Sequence, residues 1–302
     1  MTERRAQLGV VVAALLFGST FVVMRDSVNA AAPTAFLSAR FGIGAVALLG
    51  YAQLRLPRPR GLLVPSLLAG AALLVGYVLQ TVGLQYTNTS TSAFITYMLV
   101  VLVPVFGAIQ HRAMPAARVV VAVVVTTMGL WMLTGGVAHV GKGELLTLGC
   151  AAAYAIHILL VGRWANRFNA IWFTGVQLAV VSAGCFIPGL LQGGYAFGAV
   201  AWRGALYTGI GASAIALSLQ VNSQLVLPPT RTALLLMLEP VSAAAIGYWV
   251  GERLGAAGWL GGVLILIGVI VAETGKSADH PQKANDYGAE WPANDPIQGG
   301  PT

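Results

Sequence analysis

The sequence predicts an all-α membrane protein in which ten transmembrane helices form two five-helix repeats of opposite orientation. The 302-residue chain is 57% hydrophobic and only 9% charged, whereas a soluble domain usually has about 25% charged residues. Ten apolar segments each approach the roughly 20 residues that a helix needs to cross a bilayer. Five spans in each half would place the second half in the membrane upside down relative to the first.

Short segments rich in proline and arginine separate the apolar runs, as expected of loops. "RLPRPRG" (55–61) follows the second run, "QHRAMP" (110–115) the fourth and "LPPTR" (227–231) the eighth. The first run follows two arginines but is longer than the apolar part of a usual signal peptide, so we interpret it as a span. The predicted spans are about 8–25, 34–53, 62–84, 91–109, 116–134, 144–163, 170–190, 203–222, 232–250 and 256–274.

A shift of 140 residues places the first five spans on the second five. It brings Leu79–Gln80 onto Leu219–Gln220, and Ser92–Ala93 onto Thr232–Ala233. We therefore predict one repeat at 1–138 and a second at 139–275. The remaining segment, 276–302, is rich in Pro, Gly, Asn and Asp without apolar periodicity, which predicts a disordered cytoplasmic tail.

The distribution of cations predicts the topology. With the N-terminus inside, twelve of the 17 Lys and Arg lie in cytoplasmic segments, four lie outside and Arg40 lies within a span. This asymmetry favours both termini in the cytoplasm of a multi-pass protein of the plasma membrane, which we expect to be a bacterial inner membrane. The arginines occur singly in the gaps and are not grouped on one face, so nucleic acid is not an expected partner.

Several stretches resemble the EamA-type carriers of the drug/metabolite transporter superfamily. "LFGSTFVVMR" (16–25), "PTAFLSARF" (33–41) and "LQTVGLQYTNTSTSAFITYMLVVLVPVFGA" (79–108) are similar to the first half of such carriers, and "GELLTLGCAAAYAIHILLVGR" (143–163) and "TRTALLLMLEPVSAAAIGYWVGERL" (230–254) to the second. The resemblance covers residues 8–275. Phe17 departs from the pattern, where tryptophan is usual, and "QHR" (110–112) stands where the second half has "GER". The resemblance implies a carrier and leaves its cargo open.

Glu239 and Pro240 are the most unusual pair inside a predicted span. A carboxylate is costly in lipid, so we expect it to face an interior crevice. Pro240 cannot donate to the carbonyl of Leu236, which leaves that oxygen free for another partner. The alternatives are a proton or substrate site and a structural or gating role. Pro104 stands in the fourth span without a carboxylate, since Leu99 takes the place of Glu239 in the 140-residue shift.

Arg40 is the only Lys or Arg that lies away from the ends of a predicted span. From a rise of 1.5 Å per residue, Arg40 and Glu239 differ in depth by about 11 Å across a hydrocarbon core of about 30 Å. Either the two long side chains meet, or Arg40 extends to the outer headgroups. We assign Arg40, like Glu239, Pro240 and Pro104, to coupling or gating.

Polar and aromatic side chains deep in the spans are candidates for solute binding. Gln80 and Gln220 are amides on equivalent spans, able to bind a zwitterionic solute or to link helices. Tyr77 and Tyr97 lie too deep for an interfacial aromatic belt. His157 suits proton coupling by its titration range, although a lone histidine is more often a hydrogen-bonded structural residue.

We predict a secondary transporter, not an enzyme, because the polar residues are scattered and no cluster of His, Asp and Glu stands at a span end. One intramembrane cation argues against a multiply charged phosphate and favours an amino-acid-like or amphipathic solute. Export or exchange by alternating access, with proton coupling through Glu239 or His157, is the expected mechanism. A lipid-handling or other non-carrier membrane protein is the alternative. Cys150 and Cys185 form no metal motif, and no cofactor is expected.

Overall fold

The computed structural model describes residues 1–28, 31–137, 140–249, 251 and 255–274, and these residues form helices and connecting turns without a strand. The helices are α1 (Glu3–Val28), α2 (Pro33–Arg55), α3 (Leu63–Gly83), α4 (Thr89–Tyr97), α5 (Leu99–His111), α6 (Ala117–Thr134), α7 (Lys142–Trp164), α8 (Ala170–Leu191), α9 (Ala199–Tyr207), α10 (Leu217–Ser223), α11 (Pro229–Leu236), α12 (Leu238–Trp249) and α13 (Ala256–Thr274). A 3₁₀ turn (Ala165–Arg167) follows α7, and a π-helical segment (Thr208–Ala216) joins α9 to α10.

These helices build the ten predicted spans. Span 4 consists of α4 and α5, span 8 of α9, the π segment and α10, and span 9 of α11 and α12, while each other helix forms one span. Within the described residues, spans 2 to 10 are each long and apolar enough to cross a membrane, and α1 contains the apolar run predicted as span 1. The predicted tail, 276–302, and the "ER" of the Gly-Glu-Arg pattern lie outside the described residues.

The two repeats pack against each other more than within themselves. Span 2 packs on span 7, and span 5 on span 10. Spans 3 and 4 pack on span 6, and in the same way spans 8 and 9 pack on span 1. Every one of these pairs joins one repeat to the other, so exchanging the repeats reproduces the arrangement, as expected of an inverted repeat.

Close packing at these joints depends on small side chains. A Cβ atom on Gly129 of span 5 would lie 2.6 Å from the carbonyl oxygen of Gly261 in span 10. In spans 2 and 7 the Ser38 hydroxyl donates to the Ser182 carbonyl at 3.0 Å, and the Ser182 hydroxyl donates to the Ser38 carbonyl at 2.8 Å. Small residues and interhelical hydrogen bonds are the usual means by which membrane helices associate.

Spans 4 and 9 were predicted as continuous helices, but each is interrupted at a methionine. Met98 has φ −58° and ψ −11°, and its N–H donates to the Ile95 carbonyl at 3.1 Å. Met237 has φ −62° and ψ −10°, and its N–H donates to the Leu234 carbonyl at 3.1 Å. The i→i−3 bond tightens the last turn before each interruption into 3₁₀ geometry. The shared conformation shows that the interruption belongs to the repeated architecture.

The interruptions also correct the register of the repeat. The residues that precede the broken spans, Asn88 and Pro228, are 140 apart, but Met98 and Met237 are 139 apart, because α4 has nine residues and α11 has eight. Val100 therefore corresponds to Glu239, and the predicted equivalence with Leu99 is wrong by one residue. The first repeat still has no acid at this position.

Candidate functional site

The interruptions of spans 4 and 9 meet inside the bundle. Tyr97 is the last residue of α4 and is 5% exposed. Its hydroxyl lies close to the carboxyl group of Glu239, which is in the first turn of α12. A helix N-terminus carries partial positive charge, so the first turn is a favourable place for this acid. The carboxyl group therefore lies near the other repeat, and the interior crevice expected from the sequence stays a prediction.

A hydrogen-bonded network of neutral side chains lies beside this contact. The Tyr154 hydroxyl donates to Gln80 Oε1 at 3.3 Å, and Gln80 Nε2 donates to Thr96 Oγ1 at 3.3 Å. The Cys150 thiol is fully buried and contacts both Thr96 and Tyr154. The network joins spans 3, 4 and 6, so residues of both repeats build it.

Tyr77 extends this network toward span 2. Its ring lies edge-on to Tyr154, with 5.4 Å between ring centroids, and edge-on to Phe41 at 4.6 Å. Gly76 makes the approach possible, because a Cβ atom there would lie 2.3 Å from Cε1 of Tyr154. The aromatic side chains therefore form a continuous wall between the amide network and span 2.

Arg40 is buried at this wall and does not extend to the headgroups. Only 3% of the residue is exposed, and its Nε donates to Ser213 Oγ at 3.0 Å, in the π segment of span 8. The guanidinium carbon lies 5.1 Å from the ring centroid of Phe41 and 5.7 Å from that of Tyr77. Its charge also interacts electrostatically with Glu239. The alternative in which Arg40 extends to the outer headgroups is therefore wrong, and the described hydrogen bond of its guanidinium goes to Ser213.

His157 and Gln220 are not part of the network. His157 Nε2 lies 2.7 Å from Gln177 Oε1, and Gln177 Nε2 donates to the Phe173 carbonyl at 3.0 Å. Both side chains are buried, so this pair links span 6 to span 7. Gln220 is buried in α10, and within the described part of the chain its amide makes no hydrogen bond to the residues around Gln80.

The two prolines occupy different places in their helices. Pro240 is the third residue of α12, in the first turn, where the missing N–H of proline costs little. The interruption at Met237 therefore precedes Pro240. The hydrogen bond that Pro240 cannot donate to the Leu236 carbonyl is missing in the first turn of α12, where helices lack such bonds in any case. Pro104 is buried inside α5, six residues after the interruption at Met98.

Sequence reasoning missed Ser213 and Gln177, the partners of Arg40 and His157. A serine or glutamine in an apolar span gives no pairing signal, because its partner lies in a distant span. The small residues of "TGIGASAIA" (208–216) were the available signal, since they allow a neighbouring helix to approach closely. Gly44 uses that space, because a Cβ atom there would lie 2.8 Å from the Gly209 carbonyl oxygen.

At one membrane face, a cluster of charged side chains joins the ends of spans 1, 9 and 10. Arg231 binds Glu273 through two nitrogens, at 2.5 and 3.1 Å, and binds Glu3 at 2.6 Å. Gln7 also donates to Glu273. We refer to Arg231, Glu3, Glu273 and Gln7 as the Arg231 cluster.

At the opposite face, the start of span 6 is joined to the turn between spans 3 and 4. Glu144 accepts hydrogen bonds from the Thr87 hydroxyl and from the Gly141 N–H, the latter at 2.8 Å. The Lys142 ammonium lies 4.2 Å from the centroid of the Tyr86 ring. We refer to Glu144, Thr87, Lys142 and Tyr86 as the Glu144 cluster. The two clusters lie at similar places in the two repeats, since one joins the start of span 1 to spans 9 and 10 and the other joins the start of span 6 to the turn before span 4.

A family model described as the EamA-like transporter family matches the chain twice, at residues 4–135 and 141–274. Each match contains five of the ten spans. A solved crystal structure has the same fold, with a TM-score of 0.77 and 17% identity, and the alignment covers 90% of this chain and 97% of that one.

Three curated relatives are named as transporters. An uncharacterized transporter of Archaeoglobus fulgidus is 30% identical over 165 residues. The alignment covers 54% of this chain, which spans about half (51%) of the length of that relative. A second one from the same organism is 24% identical over 273 residues, 89% of this chain and 96% of the relative. The uncharacterized transporter YvbV of Bacillus subtilis is 24% identical over 204 residues, 65% of this chain and 66% of its own length.

Proposed function

The chain belongs to the EamA-like transporter family, and on this premise we propose that it is a secondary carrier for a small zwitterionic or amphipathic metabolite. It is a multi-pass membrane protein of a transporter family. The cargo, the direction of transport and the mechanism are the parts that we propose.

This cargo class is supported by a cation, a carboxyl group and neutral hydrogen-bonding side chains that lie close together around the two interruptions. Arg40 offers one positive charge, Glu239 one carboxyl group, and Gln80, Tyr97 and Tyr154 offer neutral donors and acceptors. An amino acid carries one charge of each sign. A single cation is a poor match for a phosphate ester, whose charges would call for several Lys or Arg. A phenol-lined site also accepts an apolar side chain, as Tyr and Phe rings pack on hydrocarbon.

Alternating access is supported by the arrangement of the two clusters at the ends of the bundle. The polar network lies where the repeats meet, and inverted-repeat carriers bind solute at such an interface near the midplane. Opening at one face would separate span 1 from span 9 and break the Arg231 cluster. Opening at the opposite face would separate the start of span 6 from the turn before span 4 and break the Glu144 cluster.

Proton coupling is proposed for Glu239 and not for His157. Glu239 contacts Tyr97 at the meeting point of the interruptions, whereas His157 is held by Gln177 away from the polar network. The charge asymmetry of the loops supports cytoplasmic termini. A bacterial inner membrane and export or exchange are further parts of the proposal.

The test is uptake and counterflow in proteoliposomes with neutral amino acids, amphipathic amines and sugar phosphates. We expect neutral amino acids or amphipathic solutes to be carried and sugar phosphates to be excluded. Selective transport of sugar phosphates would contradict the proposal. Transport that keeps its wild-type dependence on a pH gradient in a Glu239→Gln variant would contradict the coupling role.

Gln80 and Gln220 provide a matched pair of variants for the site. Both are amides on equivalent spans, but only Gln80 belongs to the polar network. We expect Gln80→Leu to raise KM by about tenfold, as for the loss of roughly 1.4 kcal/mol of hydrogen bonding to solute. Gln220→Leu is expected to leave KM near its wild-type value. Equal effects of the two variants would place the solute elsewhere.

A further inference from the structure

A groove with a volume of about 650 Å³ runs along the outside of spans 2 and 7, away from the polar network. Its span 2 side includes Gly42, Val46, Gly50 and Gln53, and its span 7 side includes Phe186. Val46 is 74% exposed, and a Cβ atom added to Gly50 would have no neighbouring atom within 4 Å. The groove is therefore open to the surroundings of the bundle.

The surroundings at this depth are hydrocarbon, because both walls are apolar spans. From Gly42 to Gln53 the groove extends about 17 Å at 1.5 Å per residue. One leaflet contributes about half of a hydrocarbon core of about 30 Å. The groove thus matches the length of one leaflet, from a membrane face to about the middle of the bilayer.

The end of the groove at Gln53 is surrounded by basic connecting segments. Arg55 ends α2, and Arg58 and Arg60 follow in the turn to span 3, all three exposed. On the other wall, the exposed Arg167 precedes α8 by three residues. Neither "QLRLPRPRG" (53–61) nor "GRWANRFNA" (162–170) contains an acidic residue. Basic segments at a membrane face attract anionic lipid headgroups.

We infer that this groove binds an anionic phospholipid, with one acyl chain between spans 2 and 7 and the headgroup at the arginines that follow Gln53. The wall behind the chain is the joint closed by the reciprocal Ser38 and Ser182 hydrogen bonds. The opposite face of span 2 carries Arg40, which binds Ser213. A lipid in the groove therefore contacts the helix that brings the intramembrane cation to the polar network.

The experiment is native mass spectrometry of the full chain released from bilayers of equal phosphatidylglycerol and phosphatidylcholine. The wild type is expected to retain phosphatidylglycerol preferentially. Gly50→Leu fills the groove at a site with open space and should lower phosphatidylglycerol retention about tenfold. Gly262→Leu is the matched control, since Gly262 in span 10 also has no atom within 4 Å of a built Cβ. It should retain as much lipid as the wild type.

A combined Arg55→Gln, Arg58→Gln and Arg60→Gln variant separates the headgroup from the acyl chain. It should lose the preference for phosphatidylglycerol while keeping the weaker phosphatidylcholine adduct. Equal retention by Gly50→Leu and the wild type would overturn the inference. A dimer that Gly50→Leu dissociates would also overturn it, by assigning the groove to a second copy of the chain. Retention is measured without a transport assay, so it does not depend on the proposed cargo.

Discussion

The Arg231 cluster and the Glu144 cluster lie at similar places in the two repeats, at opposite faces, but their described contacts differ. Arg231 binds two carboxylates, and both Arg231 and Glu273 have side chains only 17% exposed. Glu144 binds a hydroxyl and a backbone N–H, and the nearby Lys142 faces an aromatic ring. Among the contacts of the described residues, full charges pair in the Arg231 cluster, whereas the Glu144 carboxylate accepts from a hydroxyl and a backbone N–H.

This difference should bias the protein toward closure at the Arg231 face. Exposed ion pairs contribute about 0–1 kcal/mol, whereas breaking a buried pair costs about 3–5 kcal/mol. The Arg231 cluster lies between these limits. Cys150 is a native reporter of opening, because it is fully buried in the polar network. In a Cys185→Ala background, labelling of Cys150 by an impermeant maleimide from either side measures access from that side.

The largest effect is expected for Arg231→Gln. The change leaves Glu3 and Glu273 without their cation and should weaken closure by roughly 1.4 kcal/mol or more, which is about tenfold in the equilibrium. Labelling of Cys150 from the Arg231 face should rise by about that factor. Arg231→Lys keeps the charge but not the two-nitrogen contact and should give a smaller rise. Unchanged labelling in Arg231→Gln would show that the cluster does not control access.

Salt should distinguish the two faces without any mutation. Raising monovalent salt from about 0.01 M to about 1 M shortens the Debye length from about 30 Å to about 3 Å. Labelling of Cys150 from the Arg231 face should increase roughly threefold, because the partly exposed Glu3 contact is screened. Labelling from the Glu144 face should increase less, because the described contacts of Glu144 join its carboxylate to a neutral hydroxyl and a backbone N–H. An equal increase at both faces would remove the proposed contrast.

Glu144→Gln should have a moderate effect at its own face. The glutamine side chain has the size of glutamate but no charge, so its hydrogen bonds to Thr87 and Gly141 are weaker. We expect the weaker bonds and the weaker helix cap to cost about 1 kcal/mol in total. We expect a roughly fivefold rise in labelling from the Glu144 face and none from the other. A rise as large as that of Arg231→Gln would make the two closures equivalent.

Lys142→Gln is expected to have the smallest effect. A cation over a tyrosine ring at an exposed site contributes about 0.5–1 kcal/mol. The variant should change labelling from the Glu144 face by about two- to fivefold, the range that corresponds to this energy. Lys142→Arg, which keeps the charge, should be close to the wild type. A larger effect in Lys142→Gln would indicate an additional partner for the ammonium.

Most of the fold could be predicted because each span is a long apolar run between polar turns. The predicted span 2, 34–53, corresponds to α2 at Pro33–Arg55, and the predicted span 7, 170–190, to α8 at Ala170–Leu191. The interruptions at Met98 and Met237 were not predicted, because only one residue leaves helical bonding in each and the prolines, Pro104 and Pro240, stand further along the chain.

The polar site could be predicted only in part. The positions of Tyr77, Gln80, Tyr97 and Glu239 near the middle of their spans predicted that they lie deep in the membrane. In the structure these side chains lie close together. Partners depend instead on which side of a helix a residue faces and on which span lies there. That is why Gln80 and Gln220 differ although the repeat makes them equivalent in sequence, and why Arg40 was not paired with Ser213.

The Arg40–Ser213 hydrogen bond has a consequence for biosynthesis. The two residues are 173 positions apart in the chain, and at about 5–20 residues per second the ribosome needs roughly 10 to 35 seconds to synthesise that length. Throughout this delay the guanidinium of a newly made second helix is without its eventual acceptor. Until span 8 emerges, the aromatic rings of Phe41 and Tyr77, together with water or lipid headgroups at the insertion site, are available to the guanidinium in place of Ser213.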